Sequence, residues 1–281
     1  MVLTRSMKLA KSGKADEESS RINAGNESRK LQKISGEFEA VDRISDLPEA
    51  IISHIFFIPI ESVVATSLLS KSWRYRWTKL TSFDFDDDDS KSSEIKDFVN
   101  FVFMVLSSQC PEISIDRFRL ALNNSEFRRF FIFLMGQHDA LCTCRTLETL
   151  KLNGPLLVQV PNVVCLPELT LLKLRNVKFE SDESFPKFIS ASPVLESLLV
   201  HRFHIDNTEV CTISSPFLKI LRYAHNLDDD IWYIAEPDFK LEIDAPALEY
   251  LLITDSVSKE IFTLQAMASL NEATLDVHST A

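Results

Sequence analysis

The chain has 281 residues, of which 45% are hydrophobic and 25% charged, proportions that are ordinary for a soluble globular protein. Its net charge of −11 argues against general affinity for nucleic acid, because phosphate binding needs clustered Lys and Arg. There is no signal peptide and no apolar run long enough to span a membrane, and the five cysteines form an odd, irregular set. We therefore expect reduced thiols, a cytoplasmic and/or nuclear location, and no membrane or nucleic-acid partner.

The N-terminal residues 1–40 are rich in Ser, Lys, Arg and Glu and carry only isolated apolar residues without a sustained period. Such a segment buries too little apolar surface to offset the entropy of ordering it. The sequence predicts a disordered tail here.

Residues 41–80 form a dense apolar block that predicts three short helices. Pro48 suits the first turn of a helix, and Pro59 ends the isoleucine-rich stripe that follows it. A second apolar run covers 61–69, and Ser70 is placed to cap a third helix that carries Trp73 and Trp77 on one face. Three such helices are too small to bury their apolar surface alone, so the block either caps the following domain or presents an apolar face to another protein.

This block resembles the F-box of the large plant type, the helical module that binds the Skp-type adaptor of a cullin-based ubiquitin ligase. The resemblance implies that a set of apolar residues faces either the adaptor or the small core of the module. That set is Leu47, Pro48, Ile51, Ile52, Ile55, Pro59, Val64, Leu69 and Trp73. We place Trp73 at the edge of the interface and Trp77 against the first strand of the next domain.

Two departures from the family pattern bear on adaptor affinity. The segment 55–59 is one residue shorter than is usual, and Ser72 stands where a basic residue is common. A one-residue loss turns the following helix by about 100° unless a loop absorbs it.

Residues 81–145 predict a linker of strands and helices that leads into the first repeat-like units. Alternating apolar residues predict strands over 81–85 and 115–122, and helical spacing predicts an amphipathic helix over 94–108. The phenylalanine-rich run 127–135 predicts a further buried helix. The aspartates of 86–89 lack the alternating spacing of a calcium loop and predict a solvated acidic loop.

A leucine pattern recurs through 146–281 and predicts degenerate leucine-rich repeats. The pattern Leu-x-x-Leu-x-apolar begins at Leu147, Leu169, Leu195, Leu218 and Leu248, with a weaker sixth copy at Leu270. The first three copies carry Pro155, Val177 and Phe203 at the ninth position, where Asn or Cys is usual, so the repeats resemble the irregular ones that follow plant F-boxes. The segment 185–189 resembles the helical return segment of that family.

The predicted fold class is therefore α/β: an N-terminal three-helix F-box followed by an irregular leucine-rich-repeat solenoid of strands with helices or loops. The sequence stops about six residues past Leu275 without a polar terminal unit. We expect a truncated solenoid whose last strand is exposed.

No residues form a catalytic, cofactor-binding or metal-binding pattern. His138, Cys142 and Cys144 lack the paired spacings of a zinc site, and the five glycines include no phosphate-binding loop. The polar positions of the repeat strands would line the concave face of the solenoid, and repeat surfaces of that kind bind proteins and sometimes small ligands. The candidate target-binding residues are Lys151, Lys173, Arg175, Lys219 and Arg222.

Two functions are compatible with these features. In the first, implied by the resemblance, the F-box binds the Skp-type adaptor and through it the cullin, while the repeats bind an unknown target protein. In the second, the protein is a repeat scaffold, or a decayed F-box protein that no longer binds the adaptor. An intrinsic enzyme would need convergent titratable groups in a pocket, and the sequence offers none.

Overall fold

The computed structural model describes residues 60–71, 73–88, 95–108, 114–123, 132–134, 141–203, 210–226, 240–255, 260–263 and 266–277. The chain divides after Leu47, and all of these residues belong to the second part, Pro48–Ala281. The predicted tail and the first predicted helix lie outside the described residues.

A nine-stranded parallel sheet forms the framework of the described part. Its strands, in spatial order, are β1 (Ser82–Asp86), β2 (Arg117–Ala121), β4 (Thr149–Val158), β5 (Leu171–Phe179), β6 (Ser197–Phe203), β8 (Ile220–Asn226), β10 (Tyr250–Asp255) and β12 (Glu272–Val277). A short strand β3 (Ile132–Leu134) pairs with the far end of β4. Each strand after β2 lies beside the strand of the preceding repeat, as expected for a β-solenoid built from leucine-rich repeats.

The predicted repeats are confirmed by the positions of the six strands from β4 to β12. Each strand begins two residues after the predicted start of its repeat, and the weak sixth copy forms β12. The strands align in register, so that the second and third leucines of each copy form two inward rows. In β4 to β10 these rows are buried; they comprise Leu150, Leu172, Leu198, Leu221 and Leu251, and Leu152, Leu174, Val200, Tyr223 and Ile253.

A second, three-stranded parallel sheet lies across the core from the first and was not predicted. It contains β7 (Val210–Ser214), β9 (Lys240–Asp244) and β11 (Glu260–Thr263). Cys211, Ile213, Leu241 and Ile243 from this sheet belong to the same hydrophobic core as the leucine rows. Strands thus form the return segment of the later repeats. In an earlier repeat that role belongs to helix α3 (Ser184–Ser190), which confirms the predicted helical return.

A bulge interrupts β4 between Asn153 and Leu156, at the point where β3 joins the sheet. Gly154 has φ of +125°, and Asn176 on the neighbouring strand has φ of 54°. Glycine tolerates positive φ because it has no Cβ, and Pro155 needs no hydrogen-bond acceptor for a backbone N–H. The bulge is therefore encoded by these residues.

The segment before β1 partly matches the prediction. Helix α1 (Ile60–Ala65) continues as a 3-10 turn over Thr66–Leu68, where the second helix was expected. The predicted third α-helix is wrong for the described residues: 73–76 are turns and Trp77–Lys79 is a 3-10 helix, held by bonds between residues three apart. Helix α2 (Ile95–Ser107) confirms the amphipathic helix.

The helix predicted over 127–135 is wrong where the structure describes it, because 132–134 is strand β3. Periodicity cannot separate a buried strand from a buried helix in a short apolar run. Pairing with β4 supplies the hydrogen bonds here, and aromatic and β-branched residues suit a strand.

Candidate protein-interaction surfaces

The F-box-like block is only partly described. Of the predicted adaptor-facing residues, six lie outside the described part of the chain: Leu47, Pro48, Ile51, Ile52, Ile55 and Pro59. The remaining three are Val64, Leu69 and Trp73.

These three residues occupy different environments. Val64 is half-buried and packs against the hydrophobic core, whereas Leu69 is 52% exposed. Trp73 is completely buried, so its ring does not lie at an exposed edge as the sequence interpretation placed it. Turns and a 3-10 helix replace the expected helix here, and the Arg76 guanidinium lies over the Trp73 ring, 5.3 Å from its centre. Trp77 joins the same core as the first strand, where it was expected.

Two exposed apolar side chains in this block were missed. Leu68 is 88% exposed and Tyr75 is 68% exposed, and both are near Leu69 in the sequence. Core leucines of this chain are almost fully buried, so adjacent exposed leucines are unusual for it. The pair of leucines before Ser70 was the signal in the sequence that could have indicated this surface, but only Leu69 was included in the predicted adaptor-facing set.

The outward face of the first sheet carries the predicted target-binding cations. Lys151 and Lys173 are register partners on β4 and β5, and Arg175 lies two residues beyond Lys173 on the same face. Arg222 is in the same row on β8, separated from Lys173 by Leu199 of β6. The parallel register thus groups four of the five predicted residues on one face: Lys151, Lys173 and Arg222 share a register row, and Arg175 lies beside it, opposite Asn153 and His201. We call these four residues the cationic row.

Lys219 lies just before β8 and forms an ion pair with Glu196. Its Nζ is 2.7 Å from Oε1 of Glu196, both side chains being about half exposed. The hydrogen bond and charge of Glu196, helped by the charge of Glu249, raise the pKa of Lys219 despite opposing desolvation. Lys219 therefore has less charge to offer a partner than the cationic row.

A polar network closes the β1 end of this face. Arg119 donates hydrogen bonds to Asp84 and Asp86. Burial acts to lower the pKa of Arg119, but the hydrogen bonds and charges of the two aspartates outweigh it and leave the pKa raised. Asn123 donates to Asp86 at 2.8 Å and accepts from Asn153 at 2.7 Å, so it connects β1 with β4.

The acidic loop after β1 is built into this network. Asp87 accepts a hydrogen bond from the backbone N–H of Asn123 at 2.7 Å. The carboxylates of Asp86, Asp87 and Asp88 lie within 4.8 Å of one another, close enough to consider a cation. Their bonds to Asn123 and Arg119 give them a structural role that the sequence did not indicate.

Inward polar residues form a second unpredicted feature, at the carboxyl ends of three strands. Arg202, His225 and Asp255 are register partners on β6, β8 and β10, and all three are buried. Tyr223 is nearby and equally buried; desolvation, followed by the charge of Cys211, raises its pKa well above the usual value. The row thus contains a buried cation, Arg202, and a buried carboxylate, Asp255, on strands separated by β8.

One small cavity opens beside this row, between β5, β6 and β7. Its lining includes Phe179, Phe185, His201, Arg202 and Cys211, and its volume is about 30 Å³. That is room for about two water molecules, far below the size of a site for a small organic ligand.

Within the described part of the chain, none of the helices is long and apolar enough to cross a membrane.

The fold and these surfaces define a class: a leucine-rich-repeat β-solenoid whose exposed features suit contacts with other proteins. Comparison with known proteins gives the family. Residues 120–270 match the family model for the leucine-rich repeats of the FBD-associated F-box protein At5g56370. No solved structure matches.

Several relatives from Arabidopsis thaliana are similar over most of the chain. F-box/FBD/LRR-repeat protein At4g26340 is 33% identical over 84% of this chain and 60% of its own length. F-box/LRR-repeat protein At3g26922 is 31% identical over 83% of this chain and 82% of its own length. F-box/LRR-repeat protein 13 is 31% identical over 85% of this chain and 57% of its own length.

The chain belongs to the plant F-box/leucine-rich-repeat family. It spans about three fifths of the length of several of the relatives that it matches.

Proposed function

We propose that this protein is a substrate-recognition subunit of a Skp–cullin–F-box ubiquitin ligase. The observation that carries the proposal is the similarity to F-box/LRR-repeat proteins over 84% of the chain, more than the repeats alone contain. Residues 42–80 bind the Skp-type adaptor, and through it the cullin, and the repeat face binds the target protein. The cytoplasm and nucleus are the compartments where such a ligase subunit would act.

The adaptor-binding part rests on the exposed side chains of the F-box-like block. Leu68, Leu69 and Tyr75 present apolar surface to solvent although Ile60, Val63 and Trp77 of the same block are buried in the core. Burying an exposed leucine in an interface gives about 1.5–3 kcal/mol. Leu68 and Tyr75 extend the predicted apolar set, which begins at Leu47 and Pro48 and already includes Leu69.

In this proposal the mechanism is proximity and not chemistry by the chain itself. Holding a target beside the conjugating enzyme raises the effective concentration of its lysines. The protein needs no cofactor or catalytic group for this task. The charged side chains of the repeat face bind and orient the target.

A pull-down with a purified Skp-type adaptor tests the proposal. The full chain is compared with two variants of the F-box-like block, Leu47→Ala/Pro48→Ala and Leu69→Ala. Phe217→Ala is the matched control, because Phe217 is also an exposed apolar residue (60%) but lies far along the chain, before β8. We expect the native chain and the Phe217 variant to retain the adaptor, the double variant to lose it, and the Leu69 variant to bind more weakly. A folded native chain that fails to bind refutes the ligase role.

The second candidate function is a repeat scaffold that has lost adaptor binding. Two observations favour it: Trp73 is fully buried, and turns replace the third helix in the described residues. Under this alternative the target-binding face persists while the pull-down is negative for every variant.

A further inference from the structure

The cationic row (Lys151, Lys173, Arg175 and Arg222) has an unusual charge environment. Lys151 and Lys173 are adjacent in register, so their backbones are about 4.8 Å apart. Like charges directly opposite each other on neighbouring strands destabilise a sheet. The chain nevertheless places them together, although it carries a net charge of −11.

These cations differ from the neighbouring cations, which form ion pairs within the chain. Arg119 on one side is paired with Asp84 and Asp86, and Lys219 on the other is paired with Glu196. Among the described residues, Lys151, Lys173 and Arg175 make no ion pair, and the Arg222 guanidinium lies 5.4 Å from the ring centre of Tyr250. Acidic residues therefore flank the row but leave its charge available.

The row also has a spacing that suits an extended chain. From β4 to β8 it crosses three strand intervals, roughly 14–15 Å, with Leu199 between the second and last cations. Leu252 follows Arg222 in the same row on β10. Alternate residues of an extended peptide are about 6.6–6.8 Å apart, so four of them cover the distance from Lys151 to Leu252.

We propose that the cationic row binds an acidic segment of the target protein, in which carboxylates and apolar side chains alternate on the face toward the sheet. The segment runs across the strands, with one carboxylate at Lys151 and Lys173, an apolar residue at Leu199, a second carboxylate at Arg222 and a second apolar residue at Leu252. The cations are spread along the row and do not converge on one point, which favours separate carboxylates over a single phosphate. This inference rests on the target-binding role given to the face in the proposed function.

Fluorescence anisotropy with the full chain provides the test. The probe is a fluorescein-labelled peptide Glu-Ser-Leu-Ser-Glu-Ser-Leu, compared with versions in which both Glu are replaced by Gln or by phosphoserine. We expect binding of the Glu peptide that weakens as salt is added, and binding of the Gln peptide at least tenfold weaker. Failure of the Glu peptide to bind a folded chain overturns the proposal; binding of the phosphoserine peptide alone overturns the choice of carboxylates.

Charge-reversal variants locate the site. Lys151→Glu/Lys173→Glu should weaken binding of the Glu peptide at least tenfold, because attraction becomes repulsion at both positions. Lys11→Glu/Arg145→Glu makes the same change in net charge at two positions outside both the row and residues 42–80 and should leave binding unchanged. Equal losses in the two double variants would mean that net charge alone drives binding, which contradicts a specific site.

The adaptor pull-down, performed on the same preparations, separates this inference from the ligase role. Adaptor retention by Lys151→Glu/Lys173→Glu together with loss of the peptide supports both. A native chain that binds the peptide but not the adaptor refutes the ligase role and leaves the peptide site standing. A native chain that binds the adaptor but not the Glu peptide refutes the peptide site alone.

Discussion

Replacing Gly154 by alanine tests whether the bulge in β4 holds the repeats together. A Cβ at this position would lie 2.6 Å from Cβ of Leu122 and 2.7 Å from its backbone oxygen. Leu122 cannot withdraw easily, because its N–H donates to the Asn153 carbonyl at 2.8 Å. Alanine must also adopt a φ of +125° or force the strand to move.

The expected cost follows from these two terms. Backbone strain at such a φ costs about 1–3 kcal/mol, and overpacking costs a further ~1–3 kcal/mol. We therefore expect Gly154→Ala to lower the free energy of unfolding by about 2–6 kcal/mol, a large part of the 5–15 kcal/mol that is typical of a folded domain.

Urea unfolding followed by circular dichroism measures this change. A lower midpoint at unchanged slope is expected. Asn176→Gly is the matched control, because it relaxes the other positive φ at the same bulge (54°), and it should change the free energy of unfolding by less than about 1 kcal/mol. A Gly154→Ala variant within about 0.5 kcal/mol of the native chain would refute the reasoning.

Three further predictions concern the core and the pH dependence of stability. Leu198→Ala should cost about 2–5 kcal/mol in urea unfolding because Leu198 is fully buried, whereas Leu199→Ala, on the outward face, should cost less than half as much. Desolvation, reinforced by the charge of Arg175, lowers the pKa of His201 from 6.5. The contribution of His201 to stability is therefore present above about pH 6.5 and is lost as the pH falls through the lowered pKa. We expect His201→Gln to reduce the loss of unfolding free energy between pH 7 and 5, measured by unfolding at each pH. The free energy of unfolding of Trp73→Phe should lie within about 1.5 kcal/mol of the native value, because the buried Nε1–H of Trp73 has no acceptor among the described residues. Trp73→Ala is measured beside it. Equal losses of unfolding free energy in the two variants would show that the indole N–H is bonded.

The repeat strands could be predicted because one local pattern determines each of them. Leucines two apart on a strand share a face, so the spacing of Leu150 and Leu152 already implies an inward pair. Stacking the copies in register then buries those pairs without long-range information. The same logic placed Lys151, Lys173 and Arg222 on one outward face, and the register then aligned them in a row.

The missed elements depend on contacts between distant parts of the chain. Strand β3 is a strand because β4 continues beyond Asn153, where its pairing with β2 ends, and offers β3 an edge, which no local period reveals. The second sheet had a readable signal, since Lys240–Asp244 alternates polar and apolar residues, but the expectation of helical returns concealed it. Likewise, the buried row of Arg202, His225 and Asp255 becomes visible only when three repeats are aligned.

The acidic loop shows why a composition-based interpretation can be incomplete. Consecutive aspartates predict solvation, and Asp88 is indeed exposed. The role of Asp86 and Asp87 depends on Asn123 and Arg119, more than 30 residues away along the chain. Parallel pairing of β1 with β2 is what brings these residues together.

Isothermal titration of the full chain with the purified Skp-type adaptor tests the central claim most directly. The account predicts one adaptor bound per chain, with the same affinity for the Lys151→Glu/Lys173→Glu variant, because adaptor and target use separate surfaces. It also predicts no detectable binding for Leu47→Ala/Pro48→Ala. A folded native chain that releases no heat and retains no adaptor would contradict the assignment as a ligase subunit.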